Sequence, residues 1–595
     1  MPRRVVIVAG IAVAAAAIAI WLFPRAVPIV ALQQLLTRDV ALARADSFFR
    51  AHSLAPAGAR TAVRFQGDDS LRTFVELGGG GLDSLNALVR GDDIAPFTWS
   101  VRAFLPGDPR EARVDFAPDG RIIGFERKLA EADARPPVSP DSGRRLAEQV
   151  LDRWIDERAD RWKLVTSSYE TRKTSGRVDR SYTFERTDRR IGGAPIRAEA
   201  VIAGDTPAHL RPFVEIPEAF QRRYTEMRSW NDLLAGLAAL GMLGIAIAGI
   251  VALARYARAS QVRWRQPMLV GAVIGAMVLA AAVNEMPGSW FDYDTAMSPA
   301  TFRAMQVLLV LLAGVSTALL VGYTLAAAEA ATRHAFPRQL DWWKLWRYRG
   351  TREVASAVGG GYAVAAIACA YVAAFYVVTR TLFGWWVPAA LLDDPNQIAT
   401  PMPWITGIAM SANAAVWEEA LFRALPLSLL SLWIGRRRGR RWWMAAGVVA
   451  SALVFGFGHS NYESWPPYSR GVEIFLDACF WAILFVQFGL VVTVVAHFVY
   501  NTLLFGIFSA AGSAAEYRVT AAIIAVALLA PALVVLWRAV RQRGFTPAPE
   551  DARFSAWTPL AGKEPSPSER TREAAALTRR ALRLAVAAAV PVVWT

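Results

Sequence analysis

The chain has 595 residues, 54% of them hydrophobic, with 65 Lys and Arg against 50 Asp and Glu. So much apolar content over this length excludes a single globular domain and points to a polytopic membrane protein carrying a soluble part. The net charge of +15 is mostly arginine in loops between apolar runs, and no compact basic domain with interleaved aromatics accompanies it, so nucleic-acid binding is excluded.

Arg3 and Arg4 precede the apolar run Val5 to Phe23. A cleaved signal peptide needs a small-residue site next; Pro24 and Arg25 follow instead, so residues 1–37 read as an uncleaved anchor with a cytoplasmic N-terminus. Residues 38–228 read as an extracytoplasmic α+β domain. DVALARADSFFRAH is helical, and FTWSVRAFLPG and REARVDFAPDGRIIGFERKL alternate with period two. The second alternates around Pro118-Asp119-Gly120, which predicts a hairpin. SPDSGRRLAEQVLDRWIDE is an amphipathic helix capped near Ser139 or Ser142, and WKLVTSSYETR, RSYTFERT and IRAEAVIAGD follow as strands. Two successive helix-then-hairpin units suggest a tandem repeat, which loosely resembles the PepSY-type modules found outside the membrane in bacterial proteins. Gly78 to Gly81 reads as a flexible loop, with no phosphate-binding motif after it.

From Leu233 onward apolar runs alternate with short loops. Spans are predicted at 233–254, 267–284, 304–328, 356–379, 405–433, 442–459, 472–487, 490–509 and 519–537. With the anchor this makes an α-helical polytopic membrane protein of about ten transmembrane helices, the α+β domain being inserted after the first. Loops rich in arginine (RYARASQVRWRQ, Arg333 to Arg352, RRRGRR) alternate with acidic ones (NEMPGSWFDYD, LFGWWVPAALLDDPNQ), as they must if every basic loop is cytoplasmic. The chain thus divides into 229–349, additional membrane helices; 350–540, a membrane core; and 541–595, a cytoplasmic tail. The last apolar run, 583–595, is too short to span and suits the membrane surface. The expected location is the cell membrane, with both termini cytoplasmic and the bilayer itself a partner. The two cysteines, Cys369 and Cys479, lie inside apolar runs, which excludes a disulfide framework and a Cys-based zinc site.

One span carries Glu418, Glu419 and Arg423 near its middle. Charges at membrane depth are costly and normally face a bundle interior or a wet cavity. Glu419 and Arg423 are i, i+4 and can pair on one face. Glu418 lies about 100° round the helix, free to point elsewhere. The plainer reading is an ion pair that locks the helix to its neighbours. Later spans add His459, four residues after Phe455, and His497, four before Asn501. Each pair shares a helix face. His52, His209 and His334 lie in the soluble domain or a basic loop and read as solvated surface residues. A lone intramembrane histidine is often a helix-to-helix donor; two of them with an Asn and two carboxylates form a rarer set, a functional polar centre.

A carboxylate in a low-dielectric pocket can act as a general base toward water, and imidazole and carboxamide N–H groups can hold an oxyanion. Two His and one Glu, here Glu418, His459 and His497, also match a hydrolytic site for zinc or another divalent metal. The residues leave metal-dependent and metal-independent reactions open. No HExxH, GxGD, Ser–Lys or Ser–His arrangement is present. Glu418-Glu419-x-x-x-Arg423, Phe455-x-x-x-His459 and His497-x-x-x-Asn501, in this order on successive helices, resemble the CPBP (Abi) family of CAAX prenyl and bacteriocin-processing intramembrane proteases, over roughly 350–510. The resemblance implies that Glu418 activates water with His459, that Glu419 and Arg423 support the site, and that His497 and Asn501 stabilise the oxyanion. It implies as substrate a membrane-associated protein or peptide. A proton or ion relay in a transporter, and a non-catalytic immunity or sensing protein, are the competing readings of the same residues.

Overall fold

The computed structural model describes residues 3–557 apart from 27–35, 92–93, 156–160, 389–394, 436, 511 and 513. The run 583–595 and Arg436 of RRRGRR therefore lie outside the described residues. The anchor forms α1 (Arg3–Ala26). It is part of the bundle: Ala15 and Ala19 pack on Cys369 and Ala370 of a later helix, where small side chains let the backbones approach.

The soluble part is one eight-stranded antiparallel sheet with order β1-β2-β3-β4-β8-β7-β6-β5. The first half runs α2 (Arg38–Ala51), β1 (Arg60–Gly67), α3 (Asp69–Gly78), α4 (Gly81–Gly91), β2 (Phe97–Phe104), β3 (Glu111–Phe116) and β4 (Ile122–Lys128). The second runs α5 (Pro140–Trp154), β5 (Trp162–Thr171), β6 (Val178–Ile191), β7 (Ala194–Ala203) and β8 (Thr206–Val214). Each half opens with a helix and lays down four antiparallel strands in sequence order, the first half adding α3 and α4 between β1 and β2, and β4 and β8 join the halves. The expected hairpin is β3–β4, and Gly120 (φ 92°) takes the left-handed position of its turn. Ser139 caps α5 by accepting the Ser142 N–H. The strands alternate, so one face of the sheet buries Trp99, Phe65, Phe116 and Phe184.

Two expectations change here. Gly78 to Gly81 is a tight turn between α3 and α4 rather than a loose loop, with Gly80 at φ 101°. Of the non-site histidines only His334 is exposed as expected, and His52 and His209 are partly buried. His52 packs against Phe48 and Trp154. His209 sits half-buried in β8, where burial pushes its pKa below the ordinary imidazole value. His334 stacks on Tyr256.

The membrane part continues as α6 (Glu218–Arg258), α7 (Arg265–Ser289), α8 (Pro299–Ala335) and α9 (Arg352–Phe383). Next come α10 (Pro403–Glu419), a π-helical turn (Ala420–Ala424) and α11 (Leu425–Ile434), one continuous rod. Finally come α12 (Arg440–Phe457), α13 (Ser469–Phe488), α14 (Leu490–Ala510) and α15 (Ala515–Arg541). Seven helices among the described residues are long and apolar enough to cross a membrane. The other three expected spans are the α10–α11 rod, α12 and α14, which are shorter or carry the polar residues. The protein is thus a mostly helical membrane protein with a sheet domain after its first helix.

Two contacts position the site. The segment before α10 belongs to the sheet domain's core through Ile398 and Ala399, and Asn396 accepts the Phe65 N–H at 3.2 Å. At the opposite end, chain beyond α15 folds back on the loop after α8. Asp341 N–H bonds to Ala552 O at 2.9 Å, and Phe554 packs on Trp342.

Candidate active site

The α10–α11 rod is interrupted at the charged residues themselves. Pro426 lacks an N–H and its ring crowds the carbonyl four residues earlier, that of Phe422. That carbonyl instead accepts the Ser451 hydroxyl of α12. The local π turn, Ala420–Ala424, carries Arg423 directly after Glu419. Such turns concentrate at functional sites.

The two adjacent carboxylates have different surroundings. Glu419 is fully buried; its Oε1 lies 2.9 Å from His497 Nδ1 and 3.3 Å from Arg423 Nη1. The expected Glu419–Arg423 pair is therefore present, with His497 as a third member. The Arg423 guanidinium lies 3.8 Å over the Phe455 ring, which explains the phenylalanine one turn before His459. Glu418 is 19% exposed and lines a cavity of about 700 Å³.

His459, Arg423, His497 and Asn501 line the same cavity. His459 follows the last turn of α12, and its Nδ1 is 2.8 Å from Phe455 O. A carbonyl only accepts, so Nδ1 carries the proton and Nε2 is left as an acceptor. His497 differs in having a carboxylate beside each ring nitrogen, so both nitrogens can carry a proton. Its Nδ1 faces Glu419, and its Nε2 lies 3.7 Å from Glu418 Oε2. The structure thus brings Glu418, His459, His497 and Asn501 around one cavity, while Glu419 stands behind it.

Among the described residues no three His, Cys, Asp or Glu side chains come together as a metal-binding cluster. The expected set Glu418, His459 and His497 is not such a cluster, although all three line one cavity.

Sequence reasoning missed a second polar stripe on the cavity wall. Arg470, Glu473 and Asp477 of α13 line it, at i, i+3 and i+7. Arg470 pairs with Glu473, Tyr376 of α9 donates to Glu473 Oε2 at 2.7 Å, and Asp477 accepts the Trp481 indole N–H at 2.9 Å. Trp481 in turn packs edge-on against His497 at 5.4 Å. The signal was available: three charges on one face of an otherwise apolar span.

Residues 400–503 match the family described as type II CAAX prenyl endopeptidase Rce1-like. The chain carries an Rce1-like CAAX protease domain. The domain runs from just before α10 into α14 and holds all six expected site residues, a narrower range than the 350–510 of the resemblance. A stretch of 102 residues is 28% identical to the sporulation-killing factor biosynthesis protein SkfC of Bacillus subtilis, covering 16% of this chain and 18% of that protein. The chain therefore spans under a fifth of the length of that curated relative. No solved structure matches. The sheet domain and α6 to α9 lie outside the Rce1-like domain.

Proposed function

We propose that this protein is an intramembrane endopeptidase that hydrolyses a peptide bond of a membrane-associated protein or peptide. The observation that carries the reading is convergence: Glu418, His459, His497 and Asn501 share one cavity instead of being strung along a polar path through the bundle. This favours hydrolysis over a transporter's relay. A water held between Glu418 and Nε2 of His459 gives up a proton to the Glu418 carboxylate as its oxygen attacks the scissile carbonyl. The carbonyl oxygen becomes an oxyanion, which accepts from the Asn501 carboxamide and from His497 Nε2–H, the imidazolium being balanced by Glu419. Collapse breaks the C–N bond, and the proton on Glu418 passes to the leaving amine. Membranes holding wild-type protein should contain cleavage products absent with Glu418→Ala, read by comparative proteomics; identical product sets overturn the proposal.

The same cavity indicates how substrate enters. It is lined at depth by Glu418 and near the sheet domain by Glu285, Gln397 and Thr406. Thr406 and Glu418 are twelve residues apart on one helix, about 18 Å. We therefore place the opening on the side of the sheet domain, and that side outside the cytoplasm. Ser460 beside the site is fully buried, whereas Asn461 is exposed. Asn461→Cys, with Cys479 replaced by Ala, should react with a membrane-impermeant thiol reagent in intact cells. Labelling only after permeabilisation would reverse both placements.

A further inference from the structure

The segment 458–468 between α12 and α13 carries His459 and is irregular. An irregular segment cannot by itself hold an imidazole in a fixed orientation, so its tethers matter. They come from outside the Rce1-like domain. The helix α6 has 41 residues, about 60 Å, roughly twice a bilayer core, so its first turns stand beside the sheet domain. From those turns Tyr224 donates to Glu463, and Asn231, fully buried, donates to Pro467 O at 3.0 Å. On the other side, Trp386 and Trp465 exchange backbone hydrogen bonds of 2.7 and 2.9 Å. The α3 helix of the sheet domain grips both tethers. Glu76 accepts the Trp386 indole N–H at 2.9 Å, and Phe74 packs edge-on against Phe220, whose ring lies parallel to that of Tyr224 at 6.4 Å. Inside the segment, Tyr462 stacks parallel to the His459 ring at 6.4 Å, directly before the tethered Glu463.

We infer that α3 of the sheet domain orients His459 through two arms, Glu76–Trp386–Trp465 and Phe74–Phe220–Tyr224–Glu463, so that the soluble domain sets the competence of the proteolytic centre. The second half of this statement rests on the endopeptidase reading. Tyr224, Glu463 and Trp386 are positioning residues, because none of them lines the cavity. The route is contiguous and short, and each link is a specific hydrogen bond or ring contact. Anything that shifts α3, such as a protein seated on the sheet domain, would act on turnover through these arms.

The test uses the full chain in membranes. In a variant combining Tyr224→Phe and Trp386→Phe, each change removes one donor; the first keeps the ring and the second leaves a smaller aromatic ring in place of the indole. The backbone amides of 459–468 should exchange hydrogen at least about tenfold faster, those of β2 should not change, and Glu418-dependent cleavage products should fall by a similar factor. The variant Glu463→Gln still offers an acceptor to Tyr224, so exchange and products should stay at wild-type level; Glu463→Leu should reproduce the loss. Unchanged exchange in 459–468 overturns the arms. Faster exchange with undiminished products overturns the coupling. If the wild-type protein itself yields no Glu418-dependent product, the endopeptidase reading fails, and the exchange ratio alone still decides whether α3 holds the segment.

Discussion

Replacing Glu418 by Gln is expected to abolish cleavage while the protein folds and accumulates as the wild type does. An amide has the carboxylate's shape but cannot take a proton from water, and general-base catalysis is worth about 10²–10⁴ in rate. Structural damage should be small for a reason specific to this site. The buried charge that needs compensation is Glu419, with Arg423 and His497 in contact, whereas Glu418 faces the cavity and lies 3.7 Å from His497. Thermal denaturation in detergent should therefore coincide for the two proteins, while product formation drops at least about a hundredfold. Glu418→Asp provides the complementary variant: it keeps a base but withdraws it by one methylene, and should retain a measurable fraction of the activity. Full activity of purified Glu418→Gln would remove Glu418 from the reaction, as would an inactive Glu418→Asp beside an active Glu418→Gln.

How much of this was legible in the sequence depends on the kind of signal. The helices were readable because apolar runs of bilayer length have few other uses. The α5 start was readable from a cap, and the β3–β4 hairpin from Pro118-Asp119-Gly120. The pairing of β4 with β8 was not, because it is set by register between strands far apart in the chain. The motif Glu-x-x-x-Arg was weaker than it looks, and the protein supplies its own control. Glu329 and Arg333 of α8 have the same spacing and are as deeply buried, with Oε1 and Nε 3.5 Å apart, yet they line no part of the site cavity. There the plainer reading, a structural ion pair, holds. Glu329 too has a partner outside its helix, Arg263 at 3.7 Å; what separates Glu419 is that its outside partner, His497, lines the cavity and that the carboxylate next door faces open space. Neither is a property of one segment, so only the three motifs taken together distinguished the site. The π turn could have been anticipated from Pro426, whose steric demand falls on Phe422. The arms that hold 458–468 could not, because they join residues more than two hundred positions apart, as in Tyr224 and Glu463.

Arg423→Ala should be the most destabilising single change at the site, and the pattern of compensation tests how its charges are balanced. Removing the guanidinium leaves Glu419, which has no solvent exposure, with His497 as its remaining partner, and strips the cation from the face of Phe455. Breaking a buried pair from one side costs roughly 3–5 kcal/mol. From a pair alone, replacing both members by apolar residues should restore most of that loss, because no charge is then left behind. The structure modifies the expectation, since His497 Nδ1 also depends on Glu419. A double variant, Glu419→Leu with Arg423→Met, strands that ring N–H, a penalty of about 1–3 kcal/mol for one unsatisfied buried donor. The expected order of stability is therefore wild type, then the double variant, then Arg423→Ala. Activity should follow a different order, with both variants inactive: the double variant removes the Glu419 anchor of His497, and Arg423→Ala removes a cavity-lining cation and one of the two groups that fix Glu419 behind His497. Adding His497→Leu to the double variant should return stability toward the wild type and leave activity at zero. Chemical denaturation in detergent, with product formation measured on the same preparations, reads both orders. A double variant no more stable than Arg423→Ala would rule out the pairing, and a triple variant no more stable than the double would remove His497 from the cluster.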